Sequence, residues 1–255
     1  MDKKLTKHDL KDPDAFISNM SRISTMAFDH RRTVTAVVAV VFGSGLLWAG
    51  MGFYNDRREN RAQTDLFMAE KKLKSQEEEF GKSTNPPTNP AEKLKKEPVK
   101  ATGNLEADYK ETVPLLKDVI SKHNGTQASV IAALDLAKLY YDYKKYDEGI
   151  AVLEKTMDMA KHPVTRGLTI DQLANFNMAK GNCDKAIGYW QKLGQEKTLS
   201  FLQGSSLIKT GLCYEKLKQF DKAEQTYLRA SGLTNDADTS KTAKKYLRLL
   251  KKGSA

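Results

Sequence analysis

The hydrophobic positions of the chain form three patterns, and the first is an unbroken apolar run near the N-terminus. Residues 33–54, TVTAVVAVVFGSGLLWAGMGFY, contain no charged side chain. A helix rises ~1.5 Å per residue, so this run is long enough to cross the roughly 30 Å of hydrocarbon in a bilayer. We predict an uncleaved transmembrane helix. A cleaved signal peptide is the alternative, but 32 residues precede the run and no clear cleavage site follows it.

The second pattern predicts a helical stalk and then a linker. Apolar residues return after the run at helical spacing, at Leu66, Ala69, Leu73 and Phe80. We expect a stalk over 55–80, which either stands free or docks on the following domain. Residues 81–104 carry four prolines among polar and charged residues, a composition typical of a flexible tether. Residues 1–32 form a tail before the span.

The third pattern recurs with a period of 37 residues. The segments YDEGIAVLEK, CDKAIGYWQK and FDKAEQTYLR begin at Tyr146, Cys183 and Phe220. Each has a small residue at i+3 and a large apolar residue at i+7, and a weaker copy, YKETVPLLKD, begins at Tyr109. We predict pairs of helices in which the second helix begins at each of these segments. In the weak copy, Pro114 places the start of the second helix near Thr112.

This spacing resembles the tetratricopeptide repeat, a helix pair with small residues at its tight contacts and aromatic residues between pairs. The small residues of the three clear copies are Ala137 and Gly149, Ala174 and Ala186, and Gly211 and Ala223. Two features depart from the family pattern: the period exceeds the usual ~34 residues, and Asn177 takes the place of a tyrosine. The resemblance implies an all-α chain, an α-solenoid of about three full repeats and a partial first one. That domain would occupy 105–255, and DTSKTAKKYLRLLKK would be its capping helix.

Composition adds little specific chemistry. Of the net charge of +10, residues 109–255 contribute +8, which would favour anionic partners or lipid headgroups. Scattered lysines on solvated helix surfaces explain the same charge. The four histidines lack metal-ligand spacing, and no phosphate-binding or nucleophile motif is present. We therefore expect no enzyme activity, catalytic residue, metal, cofactor, small-molecule substrate or nucleic-acid partner.

The repeat register indicates which side chains face the inner surface, which the first helices of such arrays line. We predict a protein-binding groove formed by Lys138, Tyr141, Asp142, Asn175, Met178, Leu212 and Glu215. Its apolar members would contact a bound segment, and its charged and amide groups would hydrogen bond with it. The register also brings Cys183 and Cys213 near each other on neighbouring helices. They would form either a disulfide, which implies an oxidising compartment, or two buried free thiols.

The order of tail, span, the helix RAQTDLFMAEKKL and the segment ASVIAALDLAKLYYDYKKYDEGIAVLEKTM resembles the YfgM-like family, ancillary subunits of the bacterial SecYEG translocon. The resemblance covers about 31–230. It implies a single-pass inner-membrane protein with a cytoplasmic N-terminus and a periplasmic repeat domain. Its partners would be the translocon, periplasmic chaperones and exported clients. The basic residues flanking the span, taken alone, slightly favour the opposite orientation.

We therefore expect a non-enzymatic, membrane-anchored interaction module that assists protein export or folding near the translocon. Two other functions fit the sequence. The repeats could be a structural scaffold in an envelope complex such as a pilus, secretion or division machine, or a membrane-anchored receptor that faces the cytosol.

Overall fold

The computed structural model describes residues 30–84, 100–234 and 236–253. All regular structure in these ranges is helical, with ten α-helices and one short 3₁₀ helix, which confirms the all-α prediction. Residues 1–57 and 58–255 form two compact units and are described separately. Most of the predicted tail (1–29) and of the linker (85–99) lies outside the described residues, so these two assignments stay predictions.

The helices follow one another through short turns. They are α1 (Arg31–Thr84), α2 (Leu105–Asp108), α3 (Thr112–Lys122), α4 (Gln127–Asp142), α5 (Tyr146–Met157), α6 (Pro163–Ala179), α7 (Cys183–Gln195), α8 (Ser200–Lys216), α9 (Phe220–Ser231) and α10 (Ala237–Gly253). The 3₁₀ helix, Lys197–Leu199, precedes α8. The helices α3, α5, α7 and α9 begin at the residues that the sequence pattern predicts.

The first unit contains the beginning of α1, whose large apolar side chains are exposed. Examples are Val40, Phe42, Leu46 and Trp48, each well over half exposed. Within the described residues, α1 is the one helix long and apolar enough to cross a membrane, judged by length and composition. A signal sequence has the same properties.

The second unit contains three helix pairs, α4/α5, α6/α7 and α8/α9, joined by nearly identical turns. Lys144, Gly181 and Lys218, each 37 residues apart, have φ angles of 57°, 85° and 57°. The next amide in each turn donates to the carbonyl five residues earlier, in the pairs Lys145–Tyr140, Asn182–Asn177 and Gln219–Tyr214, each at 2.8 Å. This bond is the long bond of a Schellman helix end. The period read from side chains is thus also present in the backbone.

The distal part of α1 supplies the first helix of the partial repeat. Ala62, Leu66, Ala69 and Leu73 are buried in one core with residues of α3 and α4. Polar contacts hold the same face: Glu59 accepts from the backbone amides of Gln127 and Ala128 at 2.9 and 3.1 Å, at the start of α4. Phe80 packs edge-on against Tyr109. The stalk is therefore docked, and α1 ends at Thr84, four residues beyond the expected boundary.

The small residues lie where neighbouring helices touch. A Cβ added at Gly149 would overlap the Phe176 ring of the next repeat, and one added at Gly211 would overlap the Tyr227 ring. At the far end, Ala243 of α10 is buried, and Tyr246 stacks on Tyr227 with ring centroids 5.3 Å apart. Helix α10 thus covers the last repeat, as a capping helix does.

Candidate functional site

The first helices of the pairs, α4, α6 and α8, pack side by side. Their exposed side chains form one face of the domain, which we call the inner face. All seven residues predicted for the groove lie on these three helices. The second helices, α5, α7 and α9, form the opposite, outer face.

A cavity of about 400 Å³ opens on the inner face between α4 and α6. Its lining residues are Lys138, Tyr141, Leu168, Asp171, Gln172, Asn175 and Phe176. Three of the predicted residues, Lys138, Tyr141 and Asn175, are therefore brought together. The stalk part of α1 contributes no lining residue, so the stalk leaves this cavity open.

Aromatic rings line the cavity at its end nearest the turn between α4 and α5. Tyr141 and Phe176 meet edge-on with centroids 5.3 Å apart, and Tyr146 packs against both rings. Phe176 is 1% exposed, while Tyr141 is 41% exposed and presents its ring to solvent. Burial raises the pKa of the Tyr141 phenol, so the hydroxyl is neutral and can donate a hydrogen bond.

Lys138 is held at the rim by the stalk. Its ammonium lies 2.9 Å from Oε1 of Glu77, and this hydrogen bond raises the lysine pKa. Asp142, at the end of α4, interacts electrostatically with both Lys138 and Glu77, and partial burial raises the pKa of its carboxyl group. The lysine charge is thus already compensated by carboxylates of the same chain.

Asp171 is the most connected polar group of the cavity. Its carboxylate accepts from Nε1 of Trp190 at 2.9 Å, from the amide of Asn175 at 3.1 Å and from the ammonium of Lys209 at 3.1 Å. The aspartate side chain is only 14% exposed. Because these partners come from α6, α7 and α8, the network fixes one repeat against the next.

The other four predicted residues do not line the cavity. Asp142 is exposed at the end of α4, while Met178 is half-buried against the core around Cys183 and Trp190. Glu215 accepts a hydrogen bond from the hydroxyl of Tyr227, and Leu212 is half-buried on α8. The groove assignment of these four residues stays a prediction.

Sequence reasoning missed four lining residues, Leu168, Asp171, Gln172 and Phe176. The first three lie one and two turns before Asn175 on the same face of α6, at the helical spacing i, i+3 or i+4, and i+7. Extending the stripe towards the helix N-terminus would have found them. Phe176 is found only through the tertiary contact with Gly149 and Tyr141.

A larger cavity of about 530 Å³ lies on the outer face between α5 and α7. Its lining is richer in charge and includes Lys180, Lys185, Lys192, Asp147 and Glu154. Lys180 and Asp147 form an ion pair across it. None of the seven predicted residues lines this outer cavity. We prefer the inner cavity because Tyr141 is 41% exposed there, beside the amides of Gln172 and Asn175. The outer cavity has a less exposed ring, that of Tyr189, and more charged side chains. Exposed aromatic residues are enriched in protein-binding sites, whose centres are depleted of charge.

The two cysteines lie together in the core between α7 and α8. Both are free thiols and both are buried. Burial, and then a hydrogen bond with Cys183, raise the pKa of the Cys213 thiol to about 12. The register prediction of neighbouring cysteines agrees with this contact, whereas their oxidation to a disulfide stays a prediction. Within the described residues, no cluster of three His, Cys, Asp or Glu side chains could hold a metal ion.

Comparisons with known proteins agree with this architecture. A family model described as the tetratricopeptide repeat-like domain matches residues 29–249. The matching crystal structures include nearly identical TPR-like repeats assigned to a kinesin light chain of Podosopora anserina. It has 13% identity and a TM-score of 0.50, with 77% of this chain and 88% of that chain covered.

A substituted form of the same repeats has 14% identity and a TM-score of 0.51, with 77% of this chain and 87% of that chain covered. At these identities the likeness concerns the fold alone. No curated protein matches the chain.

Proposed function

The chain belongs to the tetratricopeptide repeat-like domain family, and we propose that it is a membrane-anchored module that captures segments of other proteins on its inner face. Repeats of this family mediate protein–protein interaction. The observation that carries the proposal is the open cavity between α4 and α6. It offers an exposed aromatic ring, Tyr141, beside amide groups that can bond a peptide backbone.

The apolar beginning of α1 supports the anchor. Its exposed side chains would be covered by hydrocarbon in a bilayer, which removes the cost of their hydration. An anchored binding module acts on proteins that pass close to the membrane surface. The resemblance to ancillary translocon subunits supports a periplasmic repeat domain that receives newly exported proteins together with the translocon and periplasmic chaperones.

Site-specific photocrosslinking in living cells tests the capture. A benzophenone amino acid replaces Tyr141 in one variant and Lys185, on the outer face, in a matched control. We expect crosslinks to newly exported polypeptides from position 141 and few from position 185. Equal crosslinking from both faces, or none from position 141, would remove the inner face as the capture site.

Protease treatment of intact and lysed spheroplasts tests the orientation. Digestion of the repeat domain in intact spheroplasts would support a periplasmic location. Protection until lysis would put the repeats in the cytoplasm and favour a receptor that faces the cytosol. The crosslinked partners would then be sought among cytosolic proteins.

A further inference from the structure

We propose that the inner cavity selects extended segments with a large apolar side chain and no carboxylate within about two residues of it. This inference rests on the proposed capture function and names the chemistry of the captured segment. It follows from which charged and polar groups around the cavity are already paired within the chain and which are not. The apolar preference and the exclusion of carboxylates have separate structural causes.

The apolar preference comes from the lining between the charged groups. Tyr141, Leu168 and Phe176 are the apolar side chains of the lining, and Tyr141 is the most exposed of the three. Burying an aliphatic or aromatic side chain against this surface removes apolar area of both partners from water. The amide of Gln172 and the hydroxyl of Tyr141 hydrogen bond with no other described residue. They are therefore available to the backbone of a bound segment.

The exclusion of carboxylates comes from pairing inside the protein. Lys138 lines the cavity and pairs with Glu77 of the stalk, while Lys209 of α8 pairs with the lining residue Asp171. Asp142 and Asp135 add two further carboxylates near Lys138. The carboxylates around the cavity thus outnumber the two cations. An incoming carboxylate would be repelled and would find no unpaired cation, a mismatch that weakens association strongly.

Peptide binding to the full chain in lipid nanodiscs tests this selection by fluorescence anisotropy. Three labelled nine-residue peptides share a central leucine and differ only in the two residues on each side, which are serine, lysine or glutamate. We expect the serine and lysine peptides to bind within ~3-fold of each other and the glutamate peptide at least ~10-fold more weakly. A fourth peptide with serine at the centre should bind at least ~10-fold more weakly than the serine-flanked parent.

Variants locate the effect. Tyr141→Ala should weaken the serine-flanked peptide by ~10-fold, whereas Tyr141→Phe, which keeps the ring, should change it by less than ~3-fold. Glu77→Gln frees Lys138 and should reduce the penalty on the glutamate peptide to below ~3-fold. Lys185→Glu, on the outer face, should change nothing. A helical spectrum equal to that of the unmodified chain shows that each variant is folded.

The outcomes separate this inference from the proposed function. If the glutamate peptide binds most tightly and Tyr141→Ala still weakens it, the cavity captures protein segments but the inferred selection is wrong. If no peptide binds, or if Lys185→Glu rather than Tyr141→Ala alters binding, the inner cavity is not the capture site and both proposals fall.

Discussion

Replacing Gly149 with alanine should destabilise the repeat domain, even though alanine is the better helix former. A Cβ at this position would lie 3.0 Å from Cε2 of Phe176 and closer still to Cζ and Cε1. Carbon atoms in favourable contact are ~3.5–4.0 Å apart. The Phe176 ring has little room to move, because it is buried and packs edge-on against Tyr141.

The size of the effect follows from two opposing contributions. Overpacking a filled contact costs ~1–3 kcal/mol, and overlap with three ring atoms indicates the upper end of that range. Alanine regains ~1 kcal/mol of helix propensity over glycine. The free energy of unfolding should therefore fall by ~2 kcal/mol.

Gly188 of α7 provides a matched control. A Cβ added there meets no atom within 4 Å, so Gly188→Ala should gain the ~1 kcal/mol of propensity. The two glycine-to-alanine variants should shift in opposite directions and differ by ~3 kcal/mol. Opposite signs for the same chemical change are a stringent test of the packing.

Urea unfolding of the full chain in detergent micelles measures the difference. The chain has two tryptophans, and replacing the exposed Trp48 with phenylalanine in every variant leaves the buried Trp190 as the reporter. Trp190 lies in the repeat that contains Phe176, so its fluorescence follows the affected contact. If Gly149→Ala were as stable as Gly188→Ala, the close approach of α5 to α6 would be refuted.

Three further predictions concern the stalk, a buried carboxyl group and the cysteines. Leu66→Ala should lower the free energy of unfolding by ~2–5 kcal/mol because Leu66 is 3% exposed. Its neighbour Phe67 is 62% exposed, so Phe67→Ala should change the free energy of unfolding by less than ~0.5 kcal/mol. Equal effects of the two variants in urea unfolding would contradict the docked stalk. Burial and the nearby Glu70 raise the pKa of Asp135 from 3.8 to about 6, so its contribution to stability is present below pH 3.8 and is lost as the pH rises through 6. Asp135→Asn should therefore raise stability at pH 7.5 by ~1–2 kcal/mol after allowance for solvent screening, and should flatten the unfolding free energy measured from pH 4 to 7; an unchanged pH profile would contradict this. Oxidation of the full chain by glutathione disulfide, which accepts two electrons and two protons and becomes two thiols, should join Cys183 and Cys213 by a disulfide. The bond should stabilise the domain by ~3–4 kcal/mol, and thiol alkylation followed by mass spectrometry checks that it forms. If a Cys183→Ser variant gained the same stability under oxidation, the disulfide would not be the cause.

Because the stalk is docked, a fragment of the repeat domain needs the distal part of α1 to cover its core. A fragment that begins at residue 101 lacks Leu66, Leu73 and their neighbours, so the apolar faces of α3 and α4 would be exposed. Exposed faces of this kind cause aggregation. Tests of capture that use a soluble fragment should therefore begin at residue 58, where the second compact unit starts.

Local patterns determined most of the fold from sequence alone. The starts of α5, α7 and α9 were predictable because each begins a segment with the same order of small and apolar residues, at a fixed period of 37. Helix pairs follow from such short-range information, since caps, turns and helical periodicity involve residues only a few positions apart. The long apolar run of α1 was evident for the same reason.

Only the tertiary structure decided which helix completes the first repeat and which side chains form the cavity. The stalk and α3 are separated by a proline-rich segment, so no periodic spacing links them. Their pairing depends on the packing of apolar faces from segments that are distant in the sequence. The predicted groove contained Lys138, Tyr141 and Asn175 but missed Phe176, whose position depends on the absent side chain of Gly149. Likewise, the register gives Lys138 as an exposed cation, but only the structure shows that Glu77 of the stalk pairs with it. Periodicity determines the face on which a residue lies, but the partners that fill or neutralise that face come from distant parts of the chain.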